Sequence, residues 1–161
     1  MSANPSDDYW RSFVADVAER LEIREGDRIF EVGDDAGPFV EPLRDAGCIV
    51  GTGPAGSLDP SGEWDVVLAC GAFASFPSLE YASDVVARMV AKADRAVAVL
   101  DVPDVDEKGD GPGVPGRLYF TRSWFLRTLG SLGARAVELT EQRIEGYADG
   151  RHRFNVIAKL R

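Results

Sequence analysis

The residues best suited to chemistry lie in one short stretch of the chain. Glu31 and Gly33 end an apolar run, and Asp35 and Gly37 continue the same two-residue spacing. A carboxylate at the end of a strand can hold a polar ligand group, and glycines let a turn approach a ligand closely. Pro38 suits the first turn of a helix, where its missing N–H costs little. The stretch therefore predicts a nucleotide-type binding turn after the first strand.

Five other residues are candidates for a ligand site or for catalysis. Cys70 and Gly71 follow a continuous apolar run, and Asp101 ends the next such run. Ligands of doubly wound folds bind at the carboxyl ends of the strands, so we expect these residues near the site. Asp101 is a candidate to orient a nucleophile, Tyr119 to contact substrate and His152 to act as a general base. The alternative roles are structural: Cys70 as a buried thiol, Asp101 as a loop cap, Tyr119 as a packed aromatic side chain and His152 as part of a surface hairpin.

Composition and charge exclude several classes of function. The chain has 161 residues, which predicts one domain over 1–161, and its formal net charge is −9. Since there is no basic stripe, we expect neither nucleic-acid nor anionic-membrane binding. One histidine and two separate cysteines do not make a metal site. The polar, acidic start and the lack of a long apolar run predict a cytoplasmic protein.

The order of apolar runs and turns predicts the architecture. A first helix falls within 1–26, and an acidic, Gly- and Pro-rich segment at 102–116 predicts a flexible loop. Strands are expected at 28–32, 48–52, 64–70, 96–100, 134–139 and 153–160, and Ser78 and Thr121 are expected to cap helices. Helices and strands alternate until two adjacent strands close the chain. This pattern predicts an α/β fold, a three-layer doubly wound mostly parallel sheet with an antiparallel C-terminal hairpin.

The stretch 31–37 resembles motif I of the class I S-adenosylmethionine-dependent methyltransferases, (D/E)-x-G-x-G-x-G. The segments 64–70, 98–104 and 153–157 resemble later strands of that family in the same order. The resemblance implies a methyltransferase-like fold, S-adenosylmethionine as cofactor and a small-molecule acceptor. It also implies a set of cofactor-binding positions: Glu31, Gly33, Asp35, Gly37, Gly53, Cys70 and Gly71.

The chain departs from the family pattern at three places. Asp35 replaces the middle glycine of the motif, and Gly53 stands where the family has an acidic residue that binds the ribose. Only residues 53–63 separate the second strand from the next one, which is too short for a usual crossover. We therefore expect the family's third strand and its preceding helix to be missing. The second strand then becomes a sheet edge, covered by the loop, by the N-terminal helix or by a second copy of the chain.

These observations leave three hypotheses about function. The first is a shortened, motif-degenerate methyltransferase that uses S-adenosylmethionine. The second is a methyltransferase fold that no longer binds the cofactor and performs a cofactor-independent reaction. The third is a non-catalytic scaffold, a homodimer or a partner of a related protein, which the exposed edge favours.

Overall fold

The computed structural model describes residues 7–34, 37–142 and 153–160. Within them four α-helices and six β-strands follow one another, together with three short 3-10 turns at Ala55–Ser57, Ala72–Ser75 and Val105–Lys108. The helices are α1 (Asp7–Arg20), α2 (Val40–Asp45), α3 (Leu79–Lys92) and α4 (Arg122–Ser131). The strands are β1 (Arg28–Val32), β2 (Ile49–Gly53), β3 (Trp64–Cys70), β4 (Ala93–Pro103), β5 (Ala136–Glu141) and β6 (Arg153–Lys159).

The six strands form one sheet in the order β2-β1-β3-β4-β6-β5. The first four strands in this order are parallel, whereas β6 pairs antiparallel with both β4 and β5. The predicted mostly parallel sheet with an antiparallel C-terminal hairpin is therefore confirmed. The expected absence of a further strand beyond β2 is confirmed too, because residues 53–63 are all described and lead directly into β3.

The sheet carries helices on both faces, which makes three layers. On one face α1 and α2 bury apolar side chains such as Val17 and Leu43 against β1, β3 and β4. On the other face α3 and α4 bury side chains such as Val86 and Phe125. The central strands β3 and β4 are apolar on both sides for this reason, as expected of parallel strands covered by helices.

Local sequence signals explain most helix boundaries. The hydroxyl of Ser78 accepts a hydrogen bond from the N–H of Tyr81 at 3.1 Å, and Thr121 accepts one from Trp124 at 3.1 Å. Both predicted caps are therefore confirmed. The helix expected to open at Pro38 begins only at Val40 and has six residues.

The boundaries of four strands differ from expectation. Strand β6 ends at Lys159 rather than at 160, and β4 continues to Pro103 rather than ending at 100. The second strand is Ile49–Gly53 rather than 48–52, and the fifth is Ala136–Glu141 rather than 134–139. Strand β4 already begins at Ala93, directly after α3, because Ala93 pairs with Trp64 of β3. Arg95 also joins this early part of β4 to the α1 side, through an ion pair with Asp27 at 2.9 Å.

Two aromatic side chains and the 54–63 loop cover the sheet face beside β2. The rings of Phe30 and Trp64 meet edge to face at 5.2 Å between centroids. A Cβ on Gly51 would lie 2.5 Å from Cη2 of Trp64, and one on Gly53 would lie 3.0 Å from Cζ of Phe30. Glycine at both positions therefore lets the two rings lie over the β2 backbone. Leu58 of the loop is buried in the same core.

Helix α3 holds the 54–63 loop in place. The ammonium group of Lys92 donates to the carbonyl oxygens of Asp59 at 2.9 Å and Ser61 at 2.8 Å, and Arg88 donates to the Leu58 carbonyl at 3.2 Å. These contacts satisfy backbone groups that no ladder satisfies. The sequence left three candidates for the cover of this face, and in the structure the loop provides it.

The free edge of β2 is partly covered from within the chain. Because the N–H of Ile49 donates to Asp27 on the β1 side, the alternate residues Val50 and Thr52 turn their backbone groups outward. Arg44 of α2 donates to the outward Val50 carbonyl at 3.2 Å. A charged side chain on an edge strand disfavours pairing with another chain. The homodimer stays a prediction.

Segment 102–116 contains the end of β4 and a 3-10 turn held by specific contacts. Arg117 forms an ion pair with Glu107, and the N–H of Val114 donates to the Tyr119 hydroxyl at 2.8 Å. The flexibility of this segment stays a prediction. In the described part of the chain, no helix is long and apolar enough to cross a membrane.

Candidate functional site

A cavity of about 500 Å³ opens at the carboxyl ends of β1 and β3. This volume lies in the range of roughly 300–1,000 Å³ found for small-molecule sites. The turn after β1, the turn after β3, the loop after β2 and the start of α3 form its wall. The lining residues are Gly33, Asp34, Gly37, Ala55, Gly56, Cys70, Gly71, Ala72, Ser75, Phe76, Pro77 and Tyr81.

Glu31 is buried directly behind the turn that forms one side of the cavity. Its side chain is only 3% exposed, and it accepts a hydrogen bond from the N–H of Gly37. Burial raises the pKa of Glu31 to about 7, which the Gly37 hydrogen bond opposes. Within the described residues, Oε2 of Glu31 has no hydrogen-bond partner. A buried carboxylate oxygen left in this state is suited to a polar ligand group.

Two glycines of the cavity wall fit a local geometry that a larger residue would disturb. A Cβ on Gly37 would overlap Oε1 of Glu31, so a side chain there would displace the buried carboxylate from its present position. Gly71 has a φ of 78°, in the left-handed region that glycine tolerates best. The predicted importance of these two positions thus has a physical basis in this chain.

The Cys70 thiol lies between two carboxyl groups at the cavity wall. Burial raises its pKa well above the usual range, and the charges on Asp101 and Glu31 raise it further, while Arg153 lowers it. A thiol in these surroundings stays protonated at neutral pH and is a poor nucleophile. This supports the structural alternative for Cys70, with its side chain forming part of the cavity wall.

Asp101 is buried at the end of β4 and has a left-handed backbone with φ 57°. Its N–H donates to Oδ1 of Asn155 at 2.9 Å, and its carbonyl accepts from Nη1 of Arg153 at 3.1 Å. The same guanidinium nitrogen lies 3.6 Å from Oδ2 of Asp101. A Cβ on Gly71 would lie 3.9 Å from that Oδ2, so the carboxylate lies directly behind the Gly71 part of the cavity wall.

Polar side chains missed by the sequence analysis extend the site toward the hairpin. Asn155 donates to Oε1 of Gln142 at 3.1 Å, and the hydroxyl of Tyr9 on α1 donates to the same oxygen at 3.3 Å. Arg153, Asn155 and Gln142 are each less than 7% exposed. Polar residues within or beside the otherwise apolar β6 run were the available signal, since buried polar groups need partners.

Six predicted site residues do not line the cavity or cannot be placed. Glu31 and Asp101 lie behind its wall rather than in its lining. Gly53 packs under Phe30, and its carbonyl accepts from the N–H of Gly33 at 2.9 Å. The Tyr119 hydroxyl is engaged with the backbone of Val114 in the segment after β4. Asp35 and His152 lie outside the described residues. Among the described residues no group of side chains has the composition of a metal site, so the expectation of no metal was not contradicted.

Two aromatic side chains also form part of the cavity wall. Phe76 and Tyr81 meet edge to face at 4.9 Å between centroids, and a Cβ on Gly56 would lie 3.2 Å from the Tyr81 hydroxyl. The cavity therefore has a polar, glycine-lined side and an aromatic side. This combination suits a ligand with both a charged part and a flat ring.

The sequence matches no protein-family model and no curated protein. Its structure is similar to many solved structures. A methyltransferase dependent on S-adenosylmethionine from Archaeoglobus fulgidus has a TM-score of 0.69 and 12% identity, with 93% of this chain and 94% of that chain covered. Magnesium protoporphyrin IX methyltransferase from Synechocystis, with bound S-adenosylhomocysteine, has a TM-score of 0.68 and 15% identity over 96% and 83%. CalS10 from Micromonospora echinaspora, an amino pentose methyltransferase with bound S-adenosylmethionine, has a TM-score of 0.62 and 14% identity over 94% and 92%.

These comparisons and the strand order define the fold. The chain has the fold of the class I S-adenosylmethionine-dependent methyltransferases, in a shortened form with β2 at the sheet edge. The cavity lies at the carboxyl ends of the strands, where folds of this kind bind their ligands.

Proposed function

We propose that the protein is a methyltransferase that uses S-adenosylmethionine to methylate a small molecule. The observation that carries this proposal is the contact between Glu31 and the Gly37 turn at the wall of the cavity. A side chain at position 37 would displace the carboxylate, which is buried and has one oxygen without a partner within the described residues. A turn of this kind can receive the amino-acid end of the cofactor.

The residues of the cavity would bind and orient the two reactants. S-adenosylmethionine supplies an activated methyl group when it is bound. Gly33 and Gly37 would allow close backbone approach, Glu31 would accept hydrogen bonds, and Phe76 and Tyr81 would face the ring system. Since methyl transfer depends mainly on alignment and water exclusion, the scarcity of general bases near the cavity does not oppose it.

The similar solved structures support the choice of S-adenosylmethionine as cofactor more than they support any choice of substrate. Two of the similar proteins were solved with S-adenosylhomocysteine or S-adenosylmethionine bound, and their acceptors differ widely, a porphyrin in one and an amino pentose in the other. At 14–15% identity this likeness carries the fold alone. A small-molecule acceptor agrees with the size of the cavity and with the net charge of −9, which disfavours nucleic acid.

Thermal unfolding with and without S-adenosylhomocysteine tests this proposal. Binding to the folded state alone must raise the melting temperature by mass action. We expect a clear rise for the wild type and little rise for Glu31→Gln, which keeps the shape of the side chain but removes its charge. Glu41→Gln is the matched control, because Glu41 is exposed on α2. A similar rise in Glu31→Gln and wild type would contradict the assignment of Glu31.

One observation favours the second candidate, a fold that no longer binds the cofactor. Gly53 occupies the position of the family's ribose-binding carboxylate, and Phe30 packs where a side chain at this position would begin. The aromatic cover of β2 has therefore replaced that carboxylate. Turnover of a substrate without S-adenosylmethionine, together with no binding of it at millimolar concentration, would favour this candidate.

The location and assembly of the protein are further proposals. Both cysteines are free thiols, which supports a reducing, cytoplasmic environment. A homodimer or a complex with a related protein remains the proposed assembly, with the free side of β2 as its site. Light scattering at micromolar concentration tests it, and a monomer mass would contradict the homodimer.

A further inference from the structure

Asp101 has a backbone conformation that needs support from its surroundings. Its φ of 57° is in the left-handed region, which costs free energy for residues other than glycine. It lies where the pairing of β4 with β6 shifts register, between Val99 and Val102. Backbone strain of this kind persists only where neighbouring groups enforce it, and it clusters at functional sites.

Two buried residues of β6 enforce this conformation. Asn155 binds the N–H of Asp101 at 2.9 Å, and Arg153 binds its carbonyl at 3.1 Å. Both backbone groups of the strained residue thus have side-chain partners on β6. Asn155 is itself fixed by Gln142, which also accepts from Tyr9 on α1. The network therefore links Asp101 to the helix that covers this face.

The result of this arrangement is a carboxylate beside Gly71 and Cys70 at the cavity wall. The other acidic groups at the cavity are Asp34, which lines it, and Glu31, which lies behind its turn. Among the described lining residues there is no lysine, arginine or histidine. Arg153, 3.6 Å from Oδ2 of Asp101, offsets one of these three acidic groups from behind the wall. Because the acidic groups still outnumber this one cation, the cavity favours cations over anions.

We propose that Asp101 binds the cationic part of a ligand in this cavity, and that Asn155 and Arg153 are positioning residues for its carboxylate. The identity of the ligand rests on the proposed function. Its cation is then the sulfonium of S-adenosylmethionine or the protonated amine of an acceptor. Both are single positive charges that a carboxylate can hold at close range.

The positioning role can be tested without any ligand, because Cys70 is a reporter beside Asp101. The pH profile of alkylation by iodoacetamide is measured at Cys70 by mass spectrometry, which separates it from Cys48. Asp101→Asn removes a negative charge, and asparagine tolerates the left-handed backbone. We expect it to lower the pKa of Cys70, so that alkylation at a fixed pH below that pKa is faster than in the wild type.

A double-mutant cycle then separates positioning from a merely structural effect. If Asn155 holds the carboxylate beside Cys70, Asn155→Ala lowers the pKa of Cys70 in the presence of Asp101 but not in the Asp101→Asn background. Asn155→Ser, which retains a hydrogen-bond acceptor, should restore part of the wild-type profile and serves if the alanine variant does not fold. An equal change in both backgrounds would overturn the positioning role.

The cation-binding role is tested with two pairs of probes. S-adenosylmethionine and S-adenosylhomocysteine differ in the sulfonium charge, and benzylamine and benzyl alcohol, titrated in the presence of S-adenosylhomocysteine, differ in the amine charge. Asp101→Asn should weaken the binding affinity for the charged member of one pair at least fivefold. The affinity for the neutral member of that pair should stay within about twofold of the wild-type value. An effect within the first pair assigns the sulfonium, and an effect within the second assigns an amine acceptor.

Two outcomes would count against the inference, and they are distinguishable. If S-adenosylhomocysteine binds but neither pair loses its charge preference in Asp101→Asn, cation binding by Asp101 is overturned while the proposed function stands. If none of the probes binds the wild type, both the proposed function and the cation-binding role are refuted. The Cys70 titration would still decide whether Asn155 positions Asp101.

Discussion

The buried carboxyl group of Glu31 should make the protein less stable as the pH rises toward neutrality. Its pKa is about 7 in the folded protein, against an ordinary value of 4.5. Between these values the unfolded chain has lost the proton while the folded protein retains it. The stabilising contribution of the protonated group is therefore complete below pH 4.5 and is lost as the pH rises through 7.

The magnitude follows from the two pKa values. At about 1.4 kcal/mol for each pH unit between them, the loss amounts to about 3 kcal/mol at pH 8. The variant Glu31→Gln cannot ionise, and its side-chain oxygen can still accept from the Gly37 N–H. We therefore expect it to be more stable than the wild type at pH 8, by up to about 3 kcal/mol, and about equal at pH 4.5.

Urea unfolding of both proteins at several values between pH 4.5 and pH 8 tests this reasoning. The difference in the free energy of unfolding should grow with pH and level off above 7. Glu41→Gln is the control, since Glu41 is exposed and its removal should change stability little at any pH. A difference for Glu31→Gln that does not depend on pH would refute the argument, as would a less stable variant at pH 8.

Four further substitutions test the packing of the site and the fold. Gly37→Ala should lower the free energy of unfolding by about 1–3 kcal/mol and abolish S-adenosylhomocysteine binding, because its Cβ would overlap Glu31. Its control is Gly130→Ala in α4, which has open space around it and should instead raise the free energy of unfolding by roughly 0.5–1 kcal/mol. Gly51→Ala should cost about 1–3 kcal/mol, measured by urea unfolding, because its Cβ would lie 2.5 Å from the indole of β3. Tyr119→Phe should cost about 1 kcal/mol through its lost hydrogen bond and leave calorimetric ligand affinity unchanged; a large loss of affinity would place Tyr119 in the site after all.

The parts of the fold that depend on local sequence could be predicted. Apolar runs located the strands, and Ser78 and Thr121 marked two helix starts, because capping uses groups only a few residues apart. The absence of the further strand could be predicted from the length of one connection, since residues 53–63 are too few for a crossover. The start of β4 was placed too late, because its first residues are polar and only their pairing with β3 makes them a strand.

The parts of the site that depend on register could not be predicted. The sequence could point to Glu31, Gly37 and Gly71 as candidates because their positions relative to the ends of β1 and β3 reflect local backbone geometry. Asn155 and Arg153 were missed, because their contact with Asp101 exists only in the particular antiparallel pairing of β6 with β4.

The role of Gly53 was missed for a similar reason. Its packing under Phe30 requires the lateral order of β2 and β1, together with the loss of the helix that would otherwise cover this face. The resemblance implies a carboxylate at this position, the sequence has glycine, and a Cβ there would lie 3.0 Å from Cζ of Phe30.

The most direct test of the account is a calorimetric titration of the wild-type protein with S-adenosylmethionine and S-adenosylhomocysteine. The account predicts one site per chain and dissociation constants in the micromolar range, equivalent to about −8 kcal/mol of binding free energy. Absence of binding heat for both ligands at millimolar concentration, with no rise in the melting temperature, would contradict it. The methyltransferase fold would then serve a function that does not use the cofactor.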